Sequence, residues 1–178
     1  MNEKEIAEIL EKHAKWLNNE PGGKKAVLRG SDLHGCNLRY SNLSNSDLHG
    51  SDLCDANLSG AKGIATAKDY LSQFEKDSEG IIVYKAIGNT YHSSPTYWDI
   101  KPLSFLEEVV NPSRTVDCSS GVNFATLDWI KKNFEGTTIW KCRILWEDLA
   151  DVVVPYNTDG KARCARLQLI EPLKEKEL

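Results

Sequence analysis

Cys118, with Asp117 beside it and His92 upstream, has the residue types of a nucleophile, an orienting acid and a base. Such a set works only when the three meet within hydrogen-bonding reach, which their spacing does not impose. Cys118, Cys142, Cys164 and His92 also number four metal ligands. The three cysteines stand 24 and 22 residues apart, however, unlike any zinc pattern. His34 and Cys54 form a third pair, and two ligands do not complete a zinc site. Cysteines are commonly buried and inert. No P-loop, GxGxxG, GxSxG or HExxH is present. The sequence therefore predicts no catalytic residue, no metal site and no cofactor, and the balance is against an enzyme.

A second chemistry is anion binding. Lys161, Arg163 and Arg166 are read as a cluster on the last strand, with Arg114 and Arg143 near them. Such a cluster holds phosphate or carboxylate groups through charge-assisted hydrogen bonds. The same charges on an edge strand serve only to keep it soluble. Trp98, Trp129, Trp140 and Trp146 lie in the same half of the chain. Trp and Arg are enriched at binding hot spots, although Trp129 and Trp140 read as core residues. The candidate binding set is Arg114, Arg143, Lys161, Arg163, Arg166 and Trp98.

The elements that must carry these residues begin with a repeat. Leucine recurs every fifth residue at Leu28, Leu33, Leu38, Leu43, Leu48, Leu53 and Leu58. Two positions earlier stand Ala26, Ser31, Cys36, Ser41, Ser46, Ser51 and Ala56, all small. The residue just before leucine is Val27 and then always Asp or Asn. A period of five fits neither a helix nor a flat strand. It fits a chain that turns a corner every five residues, with leucine and the small residue pointing inward. Residues twenty apart should then stack at about the 4.8 Å strand spacing, pairing Leu28 with Leu48, Leu33 with Leu53 and Leu38 with Leu58.

These units, AVLRG, SDLHG, CNLRY, SNLSN, SDLHG, SDLCD and ANLSG, resemble the pentapeptide-repeat family with its A(D/N)LXX pattern. The resemblance implies a right-handed quadrilateral β-helix of about two coils over residues 26–65. Some long members of that family mimic DNA and inhibit type II topoisomerases. Here residues 26–65 carry four acidic side chains (Asp32, Asp47, Asp52, Asp55) against three basic ones (Arg29, Arg39, Lys62). A face of that charge does not imitate a duplex with one negative charge per ~1.7 Å.

The open ends of a short β-helix need covering. Residues 1–20 read as a capping helix, with Ile6, Ile9, Leu10, His13, Trp16 and Leu17 on one stripe and Asn2 with Glu5 as a capping box. Residues 66–78 read as a second capping or linker helix through Ala67, Tyr70, Leu71 and Phe74. Residues 81–173 read as a small α+β domain. "IIVYKAI" and "TIWKCRILW" are strands. "SSGVNFATLDWIKKNF" is a turn feeding a helix capped by Asn123. "ADVVVPYNTDGKARCARLQLI" is two strands around Asp159-Gly160. Residues 174–178 form a charged tail.

"YKAI…SPTYWDI", "CSSGVNFATLDWI" and "VVVPYNTDGKARCARLQLIE" resemble a domain of unknown function in tailed-phage proteins, and are distantly similar to the C-terminal part of phage rapid-lysis B proteins. The resemblance implies a phage origin and brings no catalytic residues.

Charge and composition bound the partners. The chain has 178 residues, 40% hydrophobic and 27% charged, at net charge −4. That is no basic surplus of the kind nucleic-acid binders show. No apolar run approaches the roughly 18 residues that span a bilayer, and no secretory signal is visible. The expectation is a cytoplasmic phage-type interaction protein, binding and modulating a host protein, defence factors included, through its C-terminal domain. The alternatives are a C-terminal domain that takes a phosphate-bearing, nucleotide-like ligand, and a structural module that drives oligomer formation.

Overall fold

The computed structural model describes residues 1–48, 50–64, 66–88, 94–116, 119–156, 158 and 160–173. It divides into two compact units. The first comprises Met1–Thr66, Ser113–Asp117 and Pro155–Asp159. The second comprises Ala67–Pro112, Cys118–Val154 and Gly160–Leu178.

In the first unit the repeats form a β-helix-like stack. Parallel bridges join Val27 to Asp47, Asp32 to Asp52, Asn37 to Asn57 and Asn42 to Lys62, each pair twenty apart. Around one bridge the Leu33 N–H donates to the Asp52 carbonyl and the Asp52 N–H to the Ser31 carbonyl, both at 2.9 Å. All seven leucines are buried.

Three local devices explain the pentad. Each leucine carbonyl accepts from the N–H three residues on, as in Ser31 to Leu28 and Cys36 to Leu33 at 3.1 Å. The residue before that donor has positive φ at Gly30, Gly35, Tyr40, Asn45, Gly50, Asp55 and Gly60, the demand of a type II turn at its third residue. The Asp or Asn before leucine accepts from the N–H two residues on: Asp32 from His34, Asn37 from Arg39, Asn42 from Ser44, Asp52 from Cys54 and Asn57 from Ser59. The small residue serves too, since the hydroxyls of Ser41, Ser46 and Ser51 donate to the leucine carbonyls three residues before them.

Helix α1 (Glu3–Leu17) packs its stripe on this stack. Asn2 and Glu5 form the capping box, and Ile6, Ile9 and Leu10 join the leucine core. Trp16 differs from the expected stripe. It stays 36% exposed and stacks on the His13 ring at 5.6 Å. His13 is fully buried and polar in function. The Ala26 N–H donates to its Nδ1 at 3.1 Å, so its Nε2 carries the proton and donates to the Ser44 carbonyl at 3.1 Å. His13→Leu will orphan both backbone groups. We expect a loss of about 2–4 kcal/mol, read as a lower urea midpoint by far-UV circular dichroism.

The second unit is mostly β rather than the α+β domain the sequence predicts. Its elements are α2 (Ala67–Ser72), β1 (Gly80–Ile87), β2 (Phe105–Glu107), β3 (Val122–Ala125), α3 (Leu127–Asn133), β4 (Thr138–Leu145), a 3-10 turn (Trp146–Asp151), β5 (Lys161–Cys164) and β6 (Arg166–Pro172). The sheet order is β2-β6-β4-β1-β3-β5. β5 and β6 are separated only by Ala165 yet pair at opposite ends of that order. One bent strand thus serves both ends, and the sheet curls into a half-barrel.

Alternation along the strands turns Ile81, Val83, Lys85 and Ile87 to one face. Cross-strand register places Cys142 opposite Val83, Cys164 opposite Val122 and Leu169 opposite Cys142. These partners are buried, so this face is the interior. The opposite face packs Ala125 and Ile139 on Ile130 of α3. Tyr70 and Phe74, at and just beyond α2, meet the Phe124 ring at 6.2 and 6.1 Å.

One local expectation is corrected. Thr126 caps α3 through its Oγ1, which accepts from the Trp129 N–H at 3.3 Å. Asn123 is held in β3, because pairing with β5 runs on to Ala125. "FLEEVV" contributes β2, whose partner is β6.

Candidate ligand cavity of the half-barrel

β1 pairs with β4 over eight residues but with β3 only at Tyr84 and Ala125. The two strands therefore splay. Lys85 occupies the splay, in the inner row otherwise held by Ile81, Val83 and Ile87. Its Nζ donates to the Asn123 carbonyl at 3.0 Å and stands 5.2 Å from the Trp98 ring centroid. Loss of water around the ammonium holds its pKa below the ordinary 10.5. The Glu108 carboxylate opposes that shift.

Here a cavity of about 630 Å³ opens. Phe124, Trp129, Ile130 and Phe134 form apolar wall, Ser94, Ser119 and Ser120 add hydroxyls, and Lys85 and Lys161 supply cations. Lys161 Nζ lies 6.0 Å from the Trp129 ring. Glu108, also at the cavity, accepts from the Tyr97 hydroxyl.

The predicted binding residues part company. Lys161 and Trp98 meet at this cavity. Arg163 is fully buried, and its Nε donates to the Asn111 carbonyl at 3.0 Å. Arg143 clamps the turn before β1. Its Nε and Nη2 reach Asp77 Oδ2 at 2.9 and 2.5 Å, and its Nη1 reaches Glu79 and Gln168. That guanidinium holds the Asp77 carboxyl below its usual range. Arg166 lies over the Phe105 ring at 3.8 Å, among Glu107, Glu147 and Asp148. Lys161 and Arg163 stand on β5 and Arg166 on β6, so the three do not share a strand as expected: the bend at Ala165 sends β6 to the other end of the sheet. Arg114 belongs to the first compact unit, stacked on Tyr156 at 4.1 Å.

Cys54, Cys142 and Cys164 are not activated as nucleophiles. Burial pushes the Cys164 thiol up to about 12 and the Cys142 thiol higher still, so neither is a thiolate near neutral pH. Cys54 is pushed up by its hydrogen bond to Asp52, and His34 lies 3.9 Å from Asp55. Among the described residues no three His, Cys, Asp or Glu side chains gather as metal ligands. His92, Asp117 and Cys118 lie outside the described residues.

Lys85 and Asn123 are the site residues that sequence reasoning missed. The strand gave no signal, because both rows of "IIVYKAI" are apolar apart from Lys85.

The spacing of twenty between bridged residues, with leucine inward at every fifth, bears on identity. Residues 24–62 match the family model for pentapeptide repeats, in eight copies. The pentapeptide repeats end before α2, and the cavity lies wholly beyond them. No curated protein and no solved structure matches the chain. Among the described residues no helix is long and apolar enough to cross a membrane.

Proposed function

We propose that this chain is a phage-type, non-enzymatic binding protein acting in the cytoplasm of a bacterial host. Its second unit carries the specific contact, and its pentapeptide repeats are a rigid support, a right-handed quadrilateral β-helix of about two coils. The observation that carries this reading is the convergence of Lys85, Lys161, Trp98 and Trp129 on one concave cavity. A concavity of several hundred Å³ with apolar walls and a few polar groups suits a small molecule better than a protein surface. Two lysines and two indole rings favour a nucleotide-like ligand, its phosphate on the cations and its base on an aromatic face. Modulation of a host or defence pathway then follows from binding that ligand.

A direct grip on a host protein is the second reading. Tyr97, Leu103 and Val109 favour it, being large apolar side chains 70%, 67% and 84% exposed on the same unit.

Nucleoside mono-, di- and triphosphates screened against the full chain will raise its melting temperature. A ligand at a hundred times its Kd adds about 2.7 kcal/mol. Lys161→Glu and Trp98→Ala will each weaken binding by about tenfold or more, with the fold intact by circular dichroism. Wild-type protein unmoved by millimolar nucleotide would reject the nucleotide reading and favour the Tyr97–Val109 surface as the contact.

A further inference from the structure

We propose that Lys85 is a carbonyl-reactive amine, and that the cavity takes a small aldehyde or ketone with an aromatic or apolar body and an anionic group. The inference rests on the reading of this cavity as a ligand site.

The first support is placement. Lys85 stands in the inner row of β1, between Val83 and Ile87, both buried. It lines the cavity directly. The second is its partner. The described residues set no carboxylate within ion-pairing distance of the ammonium. Among the described residues its hydrogen bond goes to the neutral Asn123 carbonyl and the Trp98 ring stands 5.2 Å away, contacts that hold the charge less strongly than a carboxylate does. A lysine paired with a carboxylate is held charged; one facing a neutral acceptor in apolar surroundings gives up its proton more readily. Burial lowers its pKa in keeping with this; the titratable groups facing it are Cys142 on β4 and Cys164 on β5, neutral thiols near neutral pH, and Glu108 after β2, whose charge pulls the other way. Desolvation in an apolar pocket is a recognised means of activating a lysine nucleophile. The third support is the wall. Phe124, Trp129 and Phe134 shield a C=N bond from water once it has formed.

The chemistry balances without a cofactor. Lys85 Nζ loses its proton to solvent and adds to the carbonyl carbon. The C–O bond then breaks, the oxygen leaves as water, and a C=N bond joins ligand and protein. The reaction reverses by hydrolysis, so it serves as reversible covalent capture. Lys161, at the same cavity, is the cation placed to meet the ligand's anionic group.

The test uses the full chain and pyridoxal 5′-phosphate, an aromatic aldehyde with a phosphate, trapped by borohydride and mapped by peptide mass spectrometry. The expected adduct at neutral pH is on Lys85, ahead of exposed lysines such as Lys15 and Lys101. It will be lost in Lys85→Arg and Lys85→Met. Formaldehyde with borohydride, small enough for any pocket, will methylate Lys85 faster near neutral pH than it does Lys15, by about tenfold for each unit of lowered pKa. Adducts spread over the surface lysines with Lys85 unmodified, or methylation of Lys85 no faster than that of Lys15, would overturn the proposal. Nucleotides carry no aldehyde. Their binding therefore tests the earlier reading separately: nucleotide bound without Lys85 labelling overturns only the amine, and Lys85 labelling without nucleotide binding overturns only the nucleotide.

Discussion

Leu43→Asp will abolish the order of the pentapeptide repeats. Leu43 is fully buried, and its N–H donates to the Lys62 carbonyl at 2.8 Å, twenty residues from the bridge position it flanks. The substitution removes about 2 kcal/mol of apolar burial. It also encloses a carboxylate that no cation reaches, at a further cost of several kcal/mol. A unit of this size buries proportionally little surface and has a small reserve of stability. Amide exchange will report the result at the Leu33, Leu38 and Leu43 N–H groups, which should lose protection together. Leu43→Met conserves volume and should cost less than about 1.5 kcal/mol. Retained protection in the aspartate variant would mean that the leucines do not form a shared interior.

Arg163→Ala will destabilise the half-barrel by about 3–5 kcal/mol, because it leaves a cavity and removes the hydrogen bond to the Asn111 carbonyl. Arg166→Ala, half-buried among the exposed Glu107 and Glu147 and the largely buried Asp148, should cost less, about 1–2 kcal/mol. Urea denaturation followed by tryptophan fluorescence distinguishes the two. A stable Arg163→Ala variant with impaired ligand binding would return Arg163 to the binding surface and displace the buried role.

The contrast between these arginines marks how far the sequence could be read. The repeats were legible because each pentad is governed locally. Small residue, Asx acceptor, leucine and positive φ all act within five residues, and the pattern states itself seven times. Even so, the role of the fifth position was not legible at Tyr40, a residue seldom found with positive φ and here at 56°. The half-barrel was less legible because its order depends on long-range pairing. "KARCARLQL" reads as one cationic strand. Nothing in those nine letters says that Ala165 bends the chain, that Arg163 is buried on the face opposite Cys164, or that Arg166 meets the carboxylates of Glu107, Glu147 and Asp148. Nor does the sequence announce that residues 113–117 and 155–159 group with the repeats. Lys85 was not legible, because both rows of "IIVYKAI" are otherwise apolar and only pairing with β4 shows which row is inner.

The bent strand of β5 and β6 has a consequence for how the chain is made. β3 finds its second partner only in β5, while β2 and the far side of β4 find theirs only in β6. Both lie after every other strand in the chain. On the ribosome, β1 and β4 therefore emerge and join as an eight-residue ribbon while the apolar row of Cys142, Ile144 and Phe124 still faces solvent. The half-barrel is sealed by β5 and β6, which follow the other strands of the sheet, and until they arrive the nascent chain presents the kind of exposed sheet edge that chaperones hold.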